Sequence, residues 1–167
     1  MNPARRIHIK PLSREAFAPF GEVIATAGVD AVPINQGRTL RFHALAQVEL
    51  LGEGAQAILS IFRGQPLEPL FIELMERHPL GSQAFVPVNG KAFYAVVAPP
   101  GEFDESAVRA FLVSGNQGIN LHAGTWHAPL LPLAADSDYL VVDRRGSGGN
   151  CDEIHLTQPI TLQPDSL

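Results

Sequence analysis

Cysteine is nearly absent: Cys151 is the one thiol in 167 residues. No intrachain disulfide can form, and a thiolate-rich zinc site is excluded. Cys151 follows a Gly-rich turn and reads as a bystander. Charge is sparse too, at 17% of residues with a formal net charge of -5. An acidic chain suits neither nucleic acid nor an anionic membrane surface, so neither partner is expected. No apolar run approaches the roughly 20 residues that span a bilayer. The start, "MNPARRIHIKPL", lacks the apolar core of a secretory signal. A cytoplasmic protein is expected.

What the chain has is apolar content and punctuation. Hydrophobic residues make up 46%, with 15 Gly and 14 Pro spread along the chain. That is material for a real core, and one domain is expected over 1–167. "IHIKPL" alternates and stops at Pro11. Ser13 is a candidate N-cap for a short helix before Pro19. "EVIAT", "TLRFHALAQVEL", "AQAILSIFRGQP", "VRAFLVSGNQGINL", "TWHAPLLPL" and "SDYLVVDRR" read as strands. "LFIELMERH" has helical spacing but alternates and ends at His-Pro, which favours a strand. "QAFVPVNGKAFYAVVAPP" predicts two strands joined as a hairpin at Asn89-Gly90. Many short strands with little helix predict an all-β barrel or sandwich.

Two polar clusters interrupt this pattern. In "ERHPLGSQAFVPVNG", Glu76 and His78 are two apart and share a strand face. Pro79-Leu80-Gly81 resets the alternation, so Gln83 re-enters facing the same interior. In "NQGINLHAGTWHAPLLPL", a turn at Ala123-Gly124 would let His122 and His127 converge, with Trp126 as a lid or wall. Each cluster also has an ordinary reading as core or surface polar residues, and His8, His43 and His155 are read that way.

The spacings resemble the two motifs of cupin barrels, H-x-H-x4-E-x6-G and P-x-G-x2-H. Glu76 stands at the first His, His78 at the second, Gln83 at the Glu and Gly90 at the Gly. His122 stands at the Pro, Gly124 at the Gly and His127 at the His. Nearly the whole chain is similar to the ureidoglycolate lyase family, formerly called ureidoglycolate hydrolase. The similarity lies in "PLSREAFAPFGEVI", "INQGRTLRFHALAQVE", "LSIFRGQP", "ELMERHPLGSQAFVPVNG", "GINLHAGTWHAPL" and "VVDRRGSGGNCDE". The resemblance implies a mainly all-β, cupin-like double-stranded β-barrel with one or two short helices, usually a homodimer. It implies cleavage of (S)-ureidoglycolate to glyoxylate and urea in allantoin and purine nitrogen catabolism. The alternatives are an amidohydrolase releasing ammonia, a non-catalytic cupin that senses a small acid, and, on fold alone, a sugar isomerase.

Ureidoglycolate is a carbinolamine bearing a carboxylate, and its cleavage consumes no water. A base must take the hydroxyl proton, an acid must protonate the departing urea nitrogen, and donors or a cation must hold the carboxylate. His78, His122 and His127 are the expected acid–base groups. Glu76 is expected as base, orienting group or metal ligand. Gln83 can only orient by hydrogen bonds. Arg63, then Arg144, is the expected carboxylate fork, while Arg77 should face away. A divalent metal, nickel first, is an open expectation, with Glu76, His78, Gln83 and His127 as its ligands.

Overall fold

The short alternating segments become strands, and the Gly and Pro positions become the turns between them. The computed structural model describes residues 3–164. Met1, Asn2 and residues 165–167, the ends of the span expected as one domain, lie outside the described residues. In chain order the elements are β1 (Arg5–Pro11), α1 (Arg14–Phe17), β2 (Gly21–Ile24), β3 (Val32–Ile34), β4 (Thr39–Arg41), β5 (Gln56–Gly64) and β6 (Ile72–Arg77). There follow β7 (Gln83–Pro87), β8 (Phe93–Ala98), β9 (Arg109–Val113), β10 (Gly118–Leu121), β11 (Trp126–His127), β12 (Leu131–Pro132), β13 (Ser137–Arg145) and β14 (Asp152–Gln163). A 3-10 turn at Glu105–Ala107 completes the set. Ser13 caps α1 as expected, accepting from the Ala16 N–H at 3.1 Å.

Six strands close on themselves. β6, β14, β1, β9 and β8 pair in that order, and β11 bonds to both β8 and β6 and seals the ring. Against it lies a five-stranded sheet in the order β2-β10-β7-β13-β5. The result is the all-β, cupin-like barrel architecture the resemblance implies, with very little helix.

The two layers explain the apolar run "FYAVVA". Phe93, Ala95 and Val97 point into the core between ring and sheet, with Phe111, Ile119, Tyr139 and Val141. Val96 and Ala98 point the other way, into the ring's own core with Ile7, Met75 and Trp126. A strand buried on both faces loses its polar alternation. Phe111 anchors the first core, with edge contacts to Phe17 and Phe20 at 5.4 and 5.9 Å. Truncating such a ring to Ala costs about 3–5 kcal/mol.

Two sequence expectations are corrected, and one strand is added. Asn89-Gly90 does not close a hairpin: β7 pairs with β10 and β13, while β8 pairs with β9, β11 and β12. The turn carries the chain between layers, and Gly90 takes the positive φ (73°) that glycine allows. "TLRFHALAQVEL" is strand only over Thr39–Arg41. The 12-residue β14 was not anticipated, because its alternation is broken by an irregularity between His155 and Ile160.

Candidate active site

Glu76 is the last residue but one of β6, and its position is set by alternation. Met75 is fully buried in the ring core, so Glu76 and His78 face the opposite way, toward the five-stranded sheet. On β11, Trp126 and Ala128 belong to the ring core, and His127 between them turns outward to the same side. Glu76 and His127 are direct partners across the sheet. Gln83 shares parity with core residue Phe85, and Asp143 with Tyr139 and Val141, so both face inward across the gap. Phe62, Glu76, Gln83, Phe85 and His127 line a cleft of about 510 Å³, with His78 beside Glu76 and Asp143 beside Gln83.

The geometry at the centre is specific. His78 Nδ1 lies 2.7 Å from the Asn150 carbonyl and His127 Nδ1 lies 3.0 Å from the Thr125 carbonyl. A carbonyl only accepts, so each Nδ1 carries the proton, and each Nε2 presents a lone pair when the ring is neutral. Both Nε2 atoms are buried without a hydrogen-bond partner. Both point at Glu76 Oε1, from 4.0 Å for His78 and 3.5 Å for His127. The rings lie 5.1 Å apart. Two lone pairs and a carboxylate facing one another are all acceptors. The arrangement is satisfied only when a proton or a cation sits among them. The His127 imidazole holds the Glu76 carboxyl below its ordinary value; burial opposes this, and the His78 charge adds to it.

This donor set fits a divalent metal. Glu76, His78 and His127 each offer one atom, all within 4.8 Å of one another. A carboxylate with two imidazoles, each ring fixed through its far nitrogen by a carbonyl, is a sound ligand group. Gln83 adds a fourth donor in the same cleft. Its Nε2 donates to Asp143 Oδ2 at 3.2 Å, and its Oε1 is buried and unpartnered. An ionised Asp accepts only, so it fixes which end of the amide faces it and leaves the carbonyl free.

The other expected residues lie elsewhere. His122 does not converge with His127. The Ala123-Gly124 turn forms, with Gly124 at φ 82°, but it carries the chain from the five-stranded sheet to the ring. His122 Nδ1 meets Glu49 Oε1 at 3.2 Å, and both side chains are more than a third exposed. Trp126 is not a lid over the cleft; it faces the ring core and donates to the Gly101 carbonyl at 3.0 Å. Arg77 faces away from Glu76 as alternation requires, stacking 4.5 Å over Trp126. Arg63 reaches the rim but is clamped to Asp138 by two hydrogen bonds of 2.8 and 2.9 Å. Arg144 is buried on the outer side of β13, donating to the Leu51 and Ser147 carbonyls.

Three contributors were not foreseen. Asn150 and Thr125 act through backbone carbonyls, which leave no sequence signal. Asp143 was readable in "SDYLVVDRR", where alternation puts it on the face of Tyr139 and Val141. Cys151, read as a bystander, has its Sγ 3.9 Å from Glu76 Oε2. Desolvation, then the charges of Glu76, Glu153 and Asp152, pushes its thiol pKa up, so it stays neutral.

Residues 4–163 match the family described as Ureidoglycolate lyase. A protein named ureidoglycolate lyase from Pseudomonas syringae pv. syringae is 52% identical, covering 98% of each chain. One of the same name from Burkholderia mallei is 48% identical, covering 98% of this chain and 96% of the relative. Among solved structures, RmlC from Streptococcus suis with dTDP-D-xylose overlaps 57% of this chain and 45% of its own. Its TM-score is 0.34 at 12% identity, too slight a likeness to bear on fold or function.

Proposed function

This chain belongs to the ureidoglycolate lyase family, and from that premise we infer that it cleaves ureidoglycolate to glyoxylate and urea. It is a carbon–nitrogen lyase acting on a small molecule. The observation that carries the site assignment is the pair of unpartnered Nε2 atoms converging on the Glu76 carboxylate in a cleft. The (S) enantiomer, the place in allantoin breakdown, the single domain over 1–167, the cytoplasmic location and the homodimer are part of the same reading.

His127 takes the hydroxyl proton through Nε2, and Glu76 beside it stabilises the imidazolium that forms. As the carbonyl forms, the carbon–nitrogen bond breaks and the electron pair leaves on the urea nitrogen. The imidazolium, or His78 next to it, returns a proton to that nitrogen. No water enters, so atoms balance as glyoxylate plus urea. The Gln83 carbonyl accepts from the urea N–H groups and aligns the leaving group. A divalent ion, nickel first, held by Glu76, His78 and His127 with Gln83 as a fourth ligand would occupy both Nε2 lone pairs and the Gln83 carbonyl and would itself supply the lowering of the hydroxyl pKa, so it is an alternative to the histidine base rather than an addition to it.

Incubation with racemic ureidoglycolate tests the function. Glyoxylate and urea should appear in equal amounts above the spontaneous rate. Ammonia without urea would indicate the amidohydrolase instead, and no turnover would leave the acid-sensing cupin. Full activity after chelation and verified metal removal would end the metal assignment.

A further inference from the structure

The cleft has a charge problem. Glu76 lines it and Asp143 lies behind Gln83, while the substrate of the proposed reaction is itself an anion. Arg63 is committed to Asp138 on the outward side of β5, and Arg144 is committed to backbone carbonyls. Among the described residues, no uncommitted guanidinium faces the cleft.

Elsewhere the fold holds a feature with no role in its own subunit. Among the described residues, β3 and β4 pair only with each other, and all six of their residues are exposed. An isolated two-stranded ribbon is marginal in water, yet this one has a defined tip. Asn35, Gln36 and Gly37 all take positive φ. The Gly37 N–H donates to the Ile34 carbonyl at 3.1 Å, and Asn35 Nδ2 donates to Thr39 Oγ1 at 3.2 Å. The ribbon exposes Val32 and Leu40 by 51% and 58%. Residues 31–48 carry Arg38, Arg41 and His43 and no acid. Its charge complements the cleft.

The cleft also borders an open sheet edge. Among the described residues, β5 pairs only with β13, and its nine residues are otherwise unpaired. Leu59 and Ile61 project outward, 73% and 58% exposed. A long edge with exposed apolar residues is what monomers avoid, and its one charge, Arg63, is held by Asp138 on β13. Phe62, Arg63 and Gly64 belong to this edge and line the cleft.

We propose that a second copy of this chain completes each cleft. Its β3–β4 ribbon covers the mouth beside β5 and supplies Arg38 or Arg41 as the fork for the substrate's carboxylate. This rests on the lyase reading above. Planar guanidinium is suited to a carboxylate in a bidentate pair.

Complementation between two defective chains tests it. The double variant Arg38→Ala/Arg41→Ala should raise KM about tenfold to a hundredfold, and the single variants show which arginine acts. His127→Ala, or Glu76→Gln as a second choice, disables the cleft but keeps the ribbon. Dissociated, mixed and reassembled, a ribbon-defective and a cleft-defective chain should recover about one quarter of wild-type activity, since half the dimers carry one intact site. No recovery, or an unchanged KM in the double variant, overturns the proposal. An arm independent of turnover separates this from the reaction itself. Arg38→Cys treated with a short bis-maleimide should crosslink to Cys151 of the other copy and give a species of twice the chain mass. That species should vanish in Arg38→Cys/Cys151→Ser. If wild-type protein proves inert on ureidoglycolate, the reaction falls, and the crosslink alone decides the ribbon's place.

Discussion

Two histidines five residues apart, His122 and His127, each face a carboxylate, and the two pairs have opposite characters. His127 is buried against a half-buried Glu76, its ring held through Nδ1 and its Nε2 unsatisfied. His122 with Glu49 is more than a third exposed and already makes a 3.2 Å contact, with the Ala123 N–H also donating to the same carboxylate oxygen at 3.3 Å. A side chain whose needs are met by the fold has little left for a substrate. A buried group left unsatisfied costs stability, and such cost persists where function uses it. The difference is in satisfaction, not in residue type.

Breaking the buried pair should have the largest effect. His127→Ala removes the base, and kcat should fall about 10²- to 10⁴-fold, followed as glyoxylate formation. The barrel should still fold, with the thermal midpoint lowered by the loss of one hydrogen bond and of one buried ring's packing. A turnover loss accompanied by an equal loss of fold would erase the contrast with His122.

A smaller effect should come from Asp143, which touches only the group that touches substrate. Asp143→Asn can donate as well as accept, so the Gln83 amide is free to turn over and present its NH₂ to the urea. KM should rise about tenfold, the worth of one misdirected hydrogen bond, with kcat changed less. Asp143→Glu should restore part of it. An unchanged KM would remove Asp143 from positioning.

How much of this was readable follows from what each signal depends on. Glu76, His78 and Gln83 were placed on one side by alternation, because strand parity is local. Asp143 obeyed the same rule. The fate of Asn89-Gly90 was not local: the dipeptide specifies a turn, but which sheet each flanking strand joins is decided by long-range pairing. The same holds for His122 and His127. The Ala123-Gly124 turn was anticipated, yet five residues of chain cannot show that its two ends enter different layers. The carbonyls of Asn150 and Thr125 carry no side-chain signal at all.

Acid stability sharpens the comparison through Glu76. Its carboxyl lies below the ordinary 4.5 in the folded protein. The unfolded chain therefore takes up the proton first as pH falls. The carboxylate's contribution is present above about pH 4.5 and drains away as pH drops through the folded value. Glu76→Gln removes this titration, so the gap, taken as the stability of wild type minus that of the variant, should shrink as pH falls into the acid range. Urea midpoints across that range measure it. A gap that widened in acid would reverse the sign assigned to this pair.

The smallest effect belongs to His122. Its contact with Glu49 is solvated, and exposed pairs of this kind contribute about 0–1 kcal/mol. His122→Ala should keep kcat and KM within about twofold of wild type, since its ring is engaged away from the cleft and the backbone N–H that anchors it to the Phe20 carbonyl at 3.0 Å survives the substitution. Glu49→Ala should behave alike, because it frees the ring without moving it toward Glu76. A large loss of turnover in His122→Ala with kcat preserved in Glu49→Ala would mean that the ring itself reaches substrate. That result would return His122 to the acid–base set and show that a satisfied, exposed histidine was the wrong one to set aside.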